Sequence, residues 1–106
     1  MNESQFKALR ELSTDSTLTQ RELSRRLGLS LGSVNYVVRA LIDKGYIKAK
    51  RFKNSNNKLG YAYILTPEGI KEKLKQTQMF IHRKIGEYEK LKVEIELLKR
   101  EEGRQI

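Results

Sequence analysis

The sequence predicts a mainly α chain with a small β-hairpin and a long C-terminal helix. Three observations predict it. Residues 19–47, TQRELSRRLGLSLGSVNYVVRALIDKGYI, carry two short helical patterns divided at a glycine. Residues 47–66 carry two β-rich runs around a polar turn. After Pro67 there is no further proline, and helix formers run to about Glu102.

The elements follow in order. Residues 3–13 read as a first helix with Phe6, Leu9 and Leu12 facing inward. STDSTLT (13–19) is a polar connection in which Leu18 is expected to pin a short third strand to the hairpin. Thr19 and Glu22 make a T-x-x-E capping box for the second helix. Leu23 and Leu27 line its inner face, and Gly28 supplies the left-handed residue that ends it. Ser30 caps the third helix, whose inner side is expected to hold Val34, Val37, Val38, Leu41 and Ile42. Gly45 stops that helix. The other side is left with Ser30, Leu31, Gly32, Ser33, Asn35, Tyr36 and Arg39. These side chains are short or hydrogen-bonding, which suits reading base edges in a major groove. The spacing is that of a helix-turn-helix. A helix pair joined by glycine also occurs in many small helical domains, so the hairpin that follows matters.

IKAKRFK (47–53) alternates Ile47 and Ala49 against Lys48 and Lys50, the period of a half-buried strand. NSNNK (54–58) is a turn, and GYAYILT (60–66) is rich in β-formers. A hairpin placed after a helix-turn-helix is a wing. Lys48, Lys50, Arg51, Lys53 and Lys58 give it five cations and no anion from 48 to 58. Lysines also protect an edge strand, but one-signed charge beside a reading helix favours phosphate contact.

Thr66 and Pro67 form a strong helix start, with proline at the first helical position. The helix predicted from there is about 36 residues long, or about 54 Å if continuous. So small a domain cannot cover it. Its apolar positions are Ile70, Leu74, Ile81, Ile85, Tyr88, Leu91, Ile95 and Leu98. The first few are expected to pack on the first helix and the domain core. Tyr88 and Ile95 fit heptad position a, and Leu91 and Leu98 fit d. A second copy of the chain is the expected partner, with Ile81 and Ile85 joining the seam. Glu87, Glu94 and Glu101 fall at g, and Lys92 and Lys99 at e. A parallel pair sets Glu87 against Lys92 and Glu94 against Lys99, whereas an antiparallel pair sets glutamate against glutamate. Lys92 with Glu96 and Glu96 with Arg100 are also spaced to pair within one helix. Gly86 marks a kink or a close contact where the helix leaves the domain.

Composition narrows the function. The 106 residues suit one domain with an appended helix. Net charge is +9. Residues 1–66 hold twelve Lys/Arg against five Asp/Glu, net +7, whereas residues 67–106 hold ten against eight, net +2. The excess sits on the helix-turn-helix half, where a polyanion would bind. There is no cysteine, hence no disulfide framework or thiol nucleophile. His82, the one histidine, has basic neighbours Arg83 and Lys84 and reads as a surface residue. No nucleophile–base set or phosphate-cradling glycine loop stands out, so no enzyme activity, cofactor or metal is expected. Tyr36, Tyr61 and Tyr63 raise a stacking surface for single strands. The plainer reading puts Tyr63 in the wing core and Tyr36 at the groove edge. No apolar run reaches membrane-spanning length, and MNESQFK lacks signal-peptide character, so a cytoplasmic location is expected.

The order helix, TQRELSRRLGLSLGSVNYVVRALIDKGYI, basic wing, then TPEGI opening a long helix resembles the MarR-type winged helix regulators. The C-terminal KIGEYEKLKVEIELLK is similar to the tail of the small bacterial MarR-family regulators associated with exopolysaccharide (EPS). The resemblance runs from about Phe6 to Lys99. It implies a dimeric transcriptional regulator in two parts: residues 1–66 as a winged helix-turn-helix DNA-binding domain, and 67–106 as a coiled-coil helix for packing and dimerisation. Larger members of the family carry extra helices ahead of the winged helix, which help to build an effector pocket. Here the first helix opens the chain, so no small-molecule effector is expected.

The expected reading is sequence-specific binding of double-stranded DNA by a homodimer. Ser33, Asn35, Tyr36 and Arg39 are the foremost candidates for base or adjacent phosphate contact, with Gly32 allowing close approach. Lys48, Lys50, Arg51, Lys53, Asn56 and Lys58 are placed on the flanking backbone. Thr19 and Arg21 hold a phosphate at the second helix's N-terminus. The alternative is a winged helix that docks an acidic protein partner.

Overall fold

In the computed structural model, which describes residues 1–53, 56 and 59–104, the fold begins with a capping box at Asn2. The Asn2 side chain accepts from the Gln5 amide, and the Gln5 side chain accepts from the Asn2 amide. This reciprocal pair starts α1 (Glu3–Thr14). Gln5 is itself buried and accepts from Lys44 Nζ at 3.0 Å. Phe6, Ala8, Leu9 and Leu12 form the inner face of α1, as their spacing requires.

Thr19 caps α2 (Gln20–Leu27) by accepting from the Glu22 amide at 3.0 Å. The reciprocal bond from Glu22 is not made, so only half of the expected box forms. Gly28, at φ 66°, turns the chain, and the Ser24 hydroxyl donates to the Leu29 carbonyl across that turn. Ser30 then caps α3 (Leu31–Asp43), accepting from the Ser33 amide. Gly45, at φ 75°, ends the helical segment and leads into β1 (Ile47–Lys53).

β1 pairs antiparallel with β2 (Leu59–Leu65) in a two-stranded sheet, in the register Ile47 to Leu65, Ala49 to Tyr63 and Arg51 to Tyr61. The expected third strand does not form among the described residues. Instead the Tyr63 amide donates one hydrogen bond, 2.8 Å, to the Ser16 carbonyl. The preceding Asp15 accepts from the Thr17 hydroxyl and amide, which holds its carboxyl below the usual aspartate range and shapes a turn rather than a strand. Leu18 is buried beneath that turn.

The core unites α1, α2, α3 and the base of the sheet through Leu9, Leu12, Leu18, Leu23, Val34, Val38, Leu41 and Ile47. Each such side chain stabilises the fold by about 1.5–3 kcal/mol on full burial. A helix cap contributes about 1 kcal/mol. Burial therefore holds the helices together, and the caps set where they begin. Ile42 departs from expectation and stays 37% exposed. It lies about 100° round the helix from Leu41, at the edge of the buried stripe rather than in it.

The last helix, α4 (Pro67–Arg104), starts as expected, with Thr66 Oγ1 accepting from the Gly69 amide at 3.0 Å. Its seating differs from expectation. Gly69 is buried, Glu72 and Lys73 are half-buried, and Ile70 and Leu74 are each 59% exposed. The reason is a backbone contact. A Cβ on Gly69 would overlap the Tyr46 carbonyl, so the helix seats on its glycine face and turns Ile70 and Leu74 outward. Gly69→Ala is therefore expected to destabilise the chain by about 1–3 kcal/mol, the cost of overpacking against rigid neighbours. Thermal unfolding would check this, because a change within 0.5 kcal/mol would contradict the contact.

The chain divides into two compact units, Met1–Leu74 and Lys75–Ile106. Every described residue from Ile81 to Arg104 is exposed. The helix passes unbroken through Gly86, where an added Cβ would meet nothing within 4 Å, so that glycine marks no intrachain contact. No helix among the described residues is long and apolar enough to cross a membrane.

Candidate nucleic-acid interface

α3 is amphipathic about a sharp division. Val34, Val37, Val38 and Leu41 point into the core, which turns Gly32, Asn35, Tyr36 and Arg39 to the opposite side. Their i, i+3, i+4, i+7 spacing makes one stripe. Tyr36 is 74% exposed. Among the described residues, the side chains of Asn35, Tyr36 and Arg39 make no hydrogen bond or ion pair, so their donors and acceptors are open to a ligand. Ser30 and Ser33 differ. The Ser30 hydroxyl accepts from the Ser33 amide and donates to the Ser33 hydroxyl at 2.9 Å, so both serve the helix start. Leu31 is half exposed beside them.

Gly32 has no internal packing reason. A Cβ there would meet nothing within 4 Å. In the first turn of α3 the small residue therefore leaves room on the outer surface rather than inside the chain. Two features of this surface escaped the sequence pattern. Asn2 and Ser4, from the start of α1, line a shallow groove with Ser30, Gly32, Ser33 and Tyr36. Asp43 also continues the outer stripe one turn beyond Arg39 and closes it with a negative charge.

The wing cations divide by strand pleat. Arg51 and Lys53 share a face with Ile47 and Tyr63, which pack on the core, whereas Lys48 and Lys50 lie on the other face. All four are exposed. Among the described residues none of the four makes an ion pair. Arg51 is held locally. Its guanidinium lies 5.8 Å from the centroid of the Tyr61 ring, and its Nε donates to the Tyr61 hydroxyl at 3.4 Å. Asn56 is an exposed turn residue, and Lys58 lies outside the described residues. Thr19 and Arg21 are exposed at the start of α2, although the Thr19 hydroxyl is occupied by its cap. Tyr63 is buried in the wing base, as expected, and its hydroxyl accepts from Gln20 Nε2 at 3.2 Å.

Among the described residues no group of His, Cys, Asp and Glu is placed to hold a metal ion. His82 is exposed on α4. The arrangement supplies hydrogen-bonding side chains on an exposed helix face, with wing cations that make no ion pair among the described residues. That chemistry suits a surface ligand of repeating negative charge.

Comparison with known proteins agrees. A family described as winged helix-turn-helix DNA-binding matches residues 1–48. Among solved structures, a MarR/EmrR family transcriptional regulator from Acinetobacter is 26% identical, with TM-score 0.68, over 100% of this chain and 78% of its own. MepR from Staphylococcus aureus, a transcription regulator of the multidrug efflux pump MepA, is 23% identical, with TM-score 0.64, over 79% of this chain and 61% of its own. PcaV from Streptomyces coelicolor is 21% identical, with TM-score 0.56, over 78% and 62%. The chain thus spans about three-fifths of the length of MepR and of PcaV. No curated protein matches. Residues 1–48 are thus similar to a family described as winged helix-turn-helix DNA-binding, and the fold of the chain is similar to that of MarR-family transcriptional regulators.

Proposed function

We propose that the chain is a sequence-specific, double-stranded DNA-binding transcriptional regulator that acts as a homodimer in the cytoplasm. The observation that carries this reading is the open stripe Gly32, Asn35, Tyr36 and Arg39 on α3, together with Lys48, Lys50, Arg51 and Lys53 of the wing, which make no ion pair among the described residues. α3 enters the major groove. Asn35 and Arg39 make the base contacts, Tyr36 lines the groove edge, and Leu31 and Ser33 lie against the sugar–phosphate wall. Lys48, Lys50, Arg51, Lys53, Asn56 and Lys58 hold the flanking backbone, with Thr19 and Arg21 at a further phosphate.

Residues 1–66 serve as the DNA-binding part and 67–106 as the dimerising part. The dimer seam is Ile81, Ile85, Tyr88, Leu91, Ile95 and Leu98, all 45–63% exposed in the single chain. Charge supports a parallel pair. Among the described residues Lys92, Glu94, Lys99 and Glu101 make no ion pair within the chain, including the i, i+4 pairs open to Lys92 with Glu96. Glu87 pairs locally with Lys84 at 3.1 Å, an exposed contact worth at most about 1 kcal/mol and readily exchanged. The likeness of the C-terminal tail to EPS-associated regulators points to exopolysaccharide-type genes as targets, which genome-wide mapping of bound sites would test.

DNA binding is tested by titrating a labelled operator duplex and a random duplex against salt. Log affinity is expected to fall linearly with log salt for both. Lys48→Ala and Lys50→Ala should weaken both duplexes alike and each lower the slope by about one. Binding without salt dependence, or absence of binding to either duplex, would favour a protein-docking role.

A further inference from the structure

Among the described residues, the wing holds one cation differently from the other three. Lys48, Lys50 and Lys53 have no hydrogen bond or ring contact among the described residues, whereas Arg51 lies against Tyr61, its cross-strand partner. Tyr61 does not owe its place to the core, since it is 49% exposed. It stacks on Tyr63, two residues along the strand, with ring centroids 6.5 Å apart and planes inclined by 18°. Tyr63 is buried, and its hydroxyl is tied to Gln20 in the first turn of α2. The side chains thus form a continuous line from the helix-turn-helix to the outer wing: Gln20, Tyr63, Tyr61, Arg51.

We propose that Tyr61 is a positioning residue that sets the Arg51 guanidinium for contact with DNA, an inference that rests on the DNA-binding reading of the wing. An unrestrained arginine loses side-chain freedom when it is fixed on a ligand. Arg51 has given up part of that freedom already, because the Tyr61 hydroxyl accepts from its Nε and its guanidinium lies 5.8 Å from the Tyr61 ring centroid. That contact leaves the outer guanidinium N–H groups open, among the described residues, to donate to the nucleic acid. Tyr63 and Gln20 brace Tyr61 in turn, so the spacing between wing cation and α2 is held by side chains as well as by the strand.

The test is a double-mutant cycle on duplex binding with Arg51→Ala, Tyr61→Ala and the pair, each measured over a salt series. Tyr61→Ala should weaken binding about fivefold, the scale of a lost cation–π contact, at an unchanged salt slope, because the arginine's charge remains. Arg51→Ala should weaken binding further and lower the slope by about one. The pair should bind like Arg51→Ala alone, since without its cation the tyrosine has nothing to position. Tyr61→Phe keeps the ring but loses the hydroxyl that accepts from Arg51 Nε, and should fall between the parent and Tyr61→Ala. Parent-like binding by Tyr61→Ala, or a pair that loses the product of the two single effects, would overturn the proposal. A lowered slope in Tyr61→Ala would do so too, by showing that the whole wing had been disturbed. Parent-like binding by Arg51→Ala would remove this part of the wing from DNA contact, and the inference with it. That failure is distinguishable because it appears without any change at Tyr61.

Discussion

Replacing Leu91 and Ile95 together with aspartate is expected to convert a dimer into a folded monomer. Both side chains are about half exposed in the single chain, 54% and 45%. Each would gain about half of the 1.5–3 kcal/mol that burial of a fully exposed side chain gives. A carboxylate at either position would instead be placed among apolar side chains without a partner, where ionised groups are strongly disfavoured. Over the four side chains of a dimer the combined loss is about 3–6 kcal/mol, or at least about a hundredfold in association. The fold of Met1–Leu74 does not use either residue, so far-ultraviolet circular dichroism should still report a folded domain. Sedimentation velocity reads the outcome. A parent chain that is monomeric at micromolar concentration would exclude the seam. Orientation is read separately by oxidising a Gly103→Cys variant, because only parallel helices bring the two ends within disulfide reach. A two-fold dimer should also protect an inverted repeat with half-sites about 10–10.5 base pairs apart, or a multiple of that spacing.

The second large effect is expected on the reading helix. Asn35→Ala and Arg39→Ala should each weaken the preferred operator by about 1–3 kcal/mol while leaving random duplex nearly unchanged. Together they approach the full difference between specific and non-specific binding. The reason is chemical. A base-edge hydrogen bond is lost only where its matching base sits, but every duplex offers the same phosphates. Neither side chain has a partner within the described residues, so their removal should leave unfolding stability within about 0.5 kcal/mol of the parent. Competition binding with specific and random duplexes separates the two effects. Equal losses on both duplexes would show that α3 grips without reading.

Much of this molecule was legible because the deciding interactions are short-range. Thr19, Gly28, Ser30, Gly45 and Thr66 act within a few residues of themselves, through caps and left-handed turns, and each sits where the spacing placed it. The open stripe on α3 follows from helical period alone once Val34, Val38 and Leu41 are taken as core. The cap at Asn2 was readable by the same rules, but Asn2 and Gln5 are weaker signals than the T-x-x-E that drew attention at Thr19.

Tertiary structure decided what depends on distant partners. Ile70 and Leu74 look like core residues by composition, yet the Tyr46 carbonyl seats the helix on Gly69 and turns them outward. Leu18 reads as a strand anchor, but the Thr17 amide donates to the Asp15 carboxylate, and a single backbone bond, from the Tyr63 amide to the Ser16 carbonyl, reaches the wing. The link from Gln20 through Tyr63 and Tyr61 to Arg51 joins residues up to 43 positions apart, and it exists only in one strand register. Sequence alone determined the periodicities, caps and charge that make a helix-turn-helix with a basic wing, since these are set by neighbours along the chain. Which apolar faces stay open, and which cation is held ready, required the fold, because backbone contact and strand register bring together groups that the sequence keeps apart.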